Sequence, residues 1–169
     1  RILADPRIQT FVERFERERT RQTRRHLLGT AVRLTPSIAP VVDAVVQHCR
    51  EALEVEAPVE LYVLPDPRFN AMSYGAEDGR MFIGLTSSLL ESFTPAELRF
   101  VMGHELGHQI FGHHDIPVGA LVHGNGGIGP RQAIDLFRWQ RYAEISADRA
   151  GLACVGAIEP TARAFFKIA

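Results

Sequence analysis

The chain has 169 residues, 46% of them apolar, and 19 basic against 20 acidic side chains give a net charge of −1. That size and composition fit one domain with a sizeable core and exclude global disorder, and the balanced charge gives no basic field for a nucleic-acid partner. Apolar runs fall far short of the roughly 20 residues that a membrane span needs, so no transmembrane helix is expected.

Residues 6–28 read as a helix with an apolar stripe of Ile8, Phe11, Val12 and Phe15. The first 33 residues carry nine arginines against four acids, which we read as a solvated helix face. The chain begins at Arg1 rather than Met, so preceding residues are expected. No signal peptide is visible, and a soluble, cytoplasmic protein is expected. A second helix spans about 37–53, and Pro58 introduces an alternating strand at 59–63. Residues 69–74 and 80–85 form two more strands, joined as a hairpin at Glu77-Asp78-Gly79. A short helix covers 87–92.

Thr94-Pro95-Ala96-Glu97 is a capping box with proline at the first helical position, and the helix it starts runs to about Gly112. Residues 115–130 are glycine-rich and read as a loop with one apolar patch at 116–122. A long helix covers about 131–154, with Gly156 to end it, and a last helical piece starts near Pro160. Cys49 and Cys154 read as two buried thiols, too few for a disulfide framework.

Five of the seven histidines lie between positions 104 and 123, which points to metal chemistry. Within the capped helix stands His104-Glu105-Leu106-Gly107-His108. Positions i and i+4 share a helix face with Cβ atoms about 5–6 Å apart, so both imidazoles reach one Zn²⁺ at about 2.0–2.1 Å. Glu105 sits beside that face, where it does not compete as a ligand but reaches a zinc-bound water as general base. A catalytic zinc usually has a third protein ligand. His113 and His114 lie just past the helix end, too near in sequence to fold back easily. His123 sits in the glycine-rich loop, and Asp115 and Asp135 lack context. Glu144 on the last long helix is the better candidate. Asp148, one turn on, would accept the second N–H of a ligand histidine.

These stretches resemble a known family. HExxH completed by a glutamate in an ExxxD pattern is the gluzincin pattern of zinc metallopeptidases. Residues 69–72, 94–113 and 143–152 are similar to the HtpX-like group, which includes the membrane CAAX prenyl endopeptidase. The resemblance covers about residues 35–169. It implies an α+β, mainly helical zincin-like domain with a small antiparallel sheet of about three strands beside the active-site helix. Residues 1–35 would be an N-terminal helical extension and 36–169 the catalytic domain. His104, His108 and Glu144 would hold zinc, Glu105 would be the general base, and Asp148 would support His104. Asn70 and Ala71 resemble the start of the rim strand to which a peptide or protein substrate adds. Val101 would line the pocket for the residue after the scissile bond.

Two departures stand out. The family's membrane relatives carry spans where this chain has only a glycine-rich loop. The family also tends to carry a histidine and an arginine after the ExxxD helix that stabilise the oxyanion, and no such pair follows Asp148 here. Either another element supplies the electrophile, with Tyr142 and His123 as local candidates that read better as packed or exposed side chains, or the catalytic domain is truncated at its C-terminus, as expected here. The expected function is zinc-dependent hydrolysis of peptide bonds. The alternative is a silent or latent zinc-binding domain used in protein interaction. Substrate and oligomeric state are not legible.

Overall fold

The computed structural model of the chain describes residues 6–20, 23–124 and 128–168. The helix expected over 6–28 is described as α1 (Pro6–Thr20) and α2 (Thr23–Thr30). Residues 21 and 22 lie outside the described residues, as does Arg1. Ile8 of α1 is buried with Val118, Leu121 and Leu136. Leu27 of α2 packs on Tyr62 and Phe82. Two of the N-terminal arginines do more than face solvent. Arg24 and Arg33, joined by Arg80, lie 3.6–3.8 Å from the buried Glu60 carboxylate, which also accepts a 2.8 Å hydrogen bond from Tyr62.

Four strands form one sheet: β1 (Val32–Leu34), β2 (Val59–Leu64), β3 (Ala71–Glu77) and β4 (Arg80–Thr86), in the order β1-β2-β4-β3. The β3–β4 hairpin closes through Asp78 and Gly79, both at positive φ (51° and 70°), as a tight primed turn requires. The expected three-stranded antiparallel sheet is corrected to a four-stranded mixed one, because β4 lies parallel to β2. The reason is in the side chains. β4 buries Phe82 on one face and Ile83 and Leu85 on the other, so it belongs in the centre. β3 is only half-buried and takes the edge. β1 pairs antiparallel with β2 and, at three residues, is too short to show an alternation.

The remaining helices are α3 (Pro40–Ala52), α4 (Ser87–Ser92), α5 (Pro95–Ile110), α6 (Val118–His123), α7 (Pro130–Val155) and α8 (Ile158–Ile168), with a 3₁₀ turn at His113–Asp115. The expected loop after α5 is partly helical. Val118 and Leu121, one turn apart, are both buried against Leu136 of α7, and that burial favours helix over loop. Residues 125–127 of the glycine run lie outside the described residues. α8 starts before Pro160, which fits within its first turn, where an N–H is dispensable.

The main core joins Val42, Val45 and Val46 of α3 and Leu61, Ile83 and Leu85 of the sheet to Leu98, Val101, Met102 and Leu106 of α5. α5 is thus a central helix with neighbours on most sides, anchored by its capping box: Glu97 N donates to Thr94 Oγ1 and Thr94 N to Glu97 Oε2. No helix among the described residues is long and apolar enough to cross a membrane.

Candidate metal centre and cleft

Small residues let α5 and α7 approach closely. A Cβ on Gly103 would stand 2.6 Å from Cys154 Sγ, and one on Gly107 would stand 3.0 Å from the Ala147 Cα. Gly107, Ala147 and Ala150 therefore pack almost backbone to backbone. The neighbouring positions, His104 and His108 on α5 and Glu144 and Asp148 on α7, are carried to one point at the edge of this contact.

There the Nε2 atoms of His104 and His108 lie 3.0 Å apart. Glu144 Oε2 is 3.6 Å from the first and 3.7 Å from the second. Among the described residues these three form a group able to hold a metal ion. A tetrahedral zinc with bonds of about 2.0–2.1 Å separates its ligand atoms by roughly 3.3–3.4 Å, a spacing the observed triangle brackets. His104 Nδ1 lies 3.0 Å from Asp148 Oδ1. A carboxylate accepts, so Nδ1 donates and the His104 lone pair lies on Nε2, facing the other two donors. Two imidazole nitrogens and a carboxylate oxygen gathered at one point, with a lone pair directed inward, suit a cation, and the donor set fits zinc.

The electrostatics follow from this crowding. Burial of the His108 ring works against its charge, but Glu144, Glu105 and Asp148 outweigh burial and hold its pKa above the ordinary imidazole value. The contact with His108 holds the Glu144 carboxyl below the ordinary carboxylate value. A bound dication would take over the role these protons and charges play for one another.

Glu105 is 8% exposed and lines the same cavity of about 520 Å³ as the three donor residues. Asn70 and Ala71 also line it, together with Met72 and Ser73, so edge strand β3 forms its rim. Asn70 bonds inward, since its carbonyl accepts from Thr86 N and its N–H donates to Thr86 Oγ1. By strand alternation the backbone groups of Ala71 and Ser73 point away from β4, toward the open edge. Val101 is buried in the core and also borders the cavity.

Further side chains enter the cleft from α8 and from the turn after α5. Phe165 and Ile168 of α8 form part of its wall, with the Phe165 ring 4.7 Å from that of Phe100. Only packing brings a helix so far downstream into the site, and no local motif marks it. His113 and His114 do fold back. Gly112 at φ 63° turns the chain, a conformation that favours glycine. His113 then reaches the ring of His108, and His114 Nε2 lies 3.0 Å from Ser73 Oγ on the rim. Burial, with His108 alongside, holds the His113 imidazole below its ordinary pKa. The glycine after α5 was the available signal. Asp115, Asp135 and His123 are not in the donor group. His123 and Tyr142 are exposed and are not among the residues that line the cleft.

The sequence profile described as peptidase family M48 matches residues 36–123, more than half of the chain. The chain is 32% identical over 134 residues to a plastoglobule-localized metallopeptidase 48, chloroplastic, of Arabidopsis thaliana, covering 74% of this chain and 39% of the relative. It is 32% identical over 78 residues to a protease HtpX homolog of Moorella thermoacetica, covering 46% of this chain and 26% of that protein. A protease HtpX homolog of Sulfurisphaera tokodaii is 34% identical over 87 residues, 52% of this chain and 27% of that protein. The matched stretches thus span at most two-fifths of these relatives.

Proposed function

The chain belongs to peptidase family M48, in its HtpX-like branch, and on that premise we propose that it is a zinc-dependent endopeptidase of the gluzincin type with a zincin-like fold. The observation that carries the proposal is the meeting of His104 Nε2, His108 Nε2 and Glu144 Oε2 at one point, with Glu105 beside them in a cleft that opens on a strand edge.

His104, His108 and Glu144 would hold the zinc, and Asp148 would fix His104 through Nδ1. Zinc, when bound, supplies a Lewis acid that acidifies water and polarises a carbonyl. Glu105 is the general base. Its carboxylate accepts the proton of the attacking water and returns it to the leaving amine nitrogen. An extended peptide binds by adding to the outward backbone groups of Ala71 and Ser73, beginning beside Asn70, a mode with little sequence demand. Val101, Phe100, Phe165 and Ile168 give the adjoining pocket an apolar lining suited to an apolar side chain next to the scissile bond. We assign catalysis to residues 36–169 and treat 1–35 as an extension whose Ile8, Leu27 and β1 brace the domain.

The test is Glu105→Gln in the full chain. The wild type, loaded with one equivalent of zinc, is expected to cleave unfolded casein. The variant is expected to bind zinc equally and cleave nothing. Cleavage by the variant would sink the assignment of the base.

A further inference from the structure

His104 has a carboxylate behind it, whereas His108 has another imidazole. His113 Nδ1 lies 3.0 Å from His108 Nδ1, and the two rings meet edge to face at 77°. His113 Nε2 lies 3.2 Å from Ser146 Oγ, which lies 2.8 Å from Ala143 O. The direction of this chain can be read from its far end. A carbonyl oxygen only accepts, so the Ser146 hydroxyl donates its one proton to Ala143 O. Ser146 Oγ then accepts from His113, which places the His113 proton on Nε2 and leaves Nδ1 as an acceptor. His108 Nδ1 must therefore donate. Its lone pair lies on Nε2, the atom that faces His104 Nε2 and Glu144 Oε2.

We infer that His113, oriented by Ser146, is a positioning residue that fixes the tautomer and ring plane of His108, as Asp148 does for His104. The inference rests on the zinc reading above. It makes α7 the common brace of both imidazoles, through Asp148 for one and through Ser146 and His113 for the other. Trp139, also on α7, stands against His113 with its ring perpendicular to the imidazole at 5.9 Å. His113 does not touch the reacting atoms. Its effect is on how well His108 presents a lone pair.

The experiment uses the full chain in competition with a chromophoric zinc chelator, alongside the imidazole ¹⁵N spectrum of the zinc-loaded protein. The spectrum should show His113 protonated on Nε2 and His108 protonated on Nδ1. His113→Leu should weaken zinc binding about 10- to 100-fold, the usual effect of losing a group behind a ligand. His113→Asn should recover most of that loss, because its Oδ1 takes the place of Nδ1 as acceptor. Ser146→Ala should weaken binding as well. His113→Leu binding zinc as tightly as the wild type, His113→Asn no better than His113→Leu, or a His113 proton on Nδ1 would each overturn the inference while leaving the zinc reading intact. Should His113→Leu not fold, the wild-type spectrum and Ser146→Ala decide. A wild type that takes up no zinc overturns the functional reading and this inference with it.

Discussion

Gly103 of α5 and Gly151 of α7 cross so closely that a Cβ on Gly103 would lie 2.9 Å from the Gly151 Cα. Gly107 repeats the relationship one turn on, against Ala147 and Ala150. Gly103 and Gly107 immediately precede His104 and His108, so this close helix contact also governs the distance from the two imidazoles to Glu144. Gly107→Ala should push the helices apart. Overpacking costs about 1–3 kcal/mol, offset by about 1 kcal/mol of helix propensity. Denaturant unfolding of the metal-free chain should show the net loss, and zinc titration should show weaker binding. Unchanged zinc affinity would mean the helix spacing does not control the site.

Asp148 and Glu144 should separate in a metal-competition assay. Asp148→Ala removes only the acceptor behind His104 Nδ1, and zinc affinity should fall about 10- to 100-fold. Glu144→Ala removes a donor atom and should cost more. The reverse order would move the third ligand from Glu144 to Asp148.

Metal removal should be visible as lost stability. A ligand free at a hundred times its Kd stabilises the folded state by about 2.7 kcal/mol. For a chain of this size that is roughly 5–10 °C in Tm. Adding a chelator to the zinc-loaded wild type should lower Tm by that amount, whereas His104→Ala should show no chelator effect.

Acid should release one specific tie. Glu97 is 1% exposed, with Lys167 Nζ 2.8 Å from its Oε2. Burial works to raise its pKa, but Lys167 and Thr94 outweigh burial and hold it below the ordinary 4.5. The unfolded chain therefore takes up this proton first as pH falls. The stabilisation is complete above about pH 4.5 and is lost as pH falls through the lower folded value. The stability difference between the wild type and Glu97→Gln should shrink across that interval. Lys167→Met at neutral pH should cost on the order of 2 kcal/mol, less than a fully buried pair because the lysine is one-third exposed. Since α8 carries Phe165 and Ile168 into the cleft, the same variant should also raise KM.

The rim strand can be probed through its backbone. Ala71→Pro removes an N–H that points to the open edge and leaves the inward bonds of Asn70 to Thr86 in place. The loss of about 1 kcal/mol of peptide binding should raise KM roughly five-fold, with kcat little changed. An unaltered KM would place the substrate elsewhere.

What was legible in the sequence was what local chemistry dictates. The capping box at Thr94, the two-residue turn at Asp78-Gly79 and Gly156 at the end of α7 (φ 67°) each occur as their residue types require. The i, i+4 spacings on α5 and α7 were enough to name the four polar residues that the structure brings together. What stayed hidden depends on contacts between distant segments. The insertion of β4 beside β2 reflects its burial on both faces, which alternation within the hairpin does not reveal. The return of His113 onto His108 needed the left-handed turn at Gly112. The approach of α8 to the cleft follows from Lys167 meeting Glu97, 70 residues apart.

The most direct test of the account is the zinc absorption spectrum of the purified full chain after loading with one equivalent. We predict two imidazole nitrogens at about 2.0–2.1 Å, carboxylate and water oxygens completing the shell at about 2.0–2.2 Å, and loss of one oxygen scatterer in Glu144→Ala. Sulfur scattering at about 2.3 Å would place the metal at Cys49 and Cys154 instead and contradict the account, as would a chain that retains no zinc.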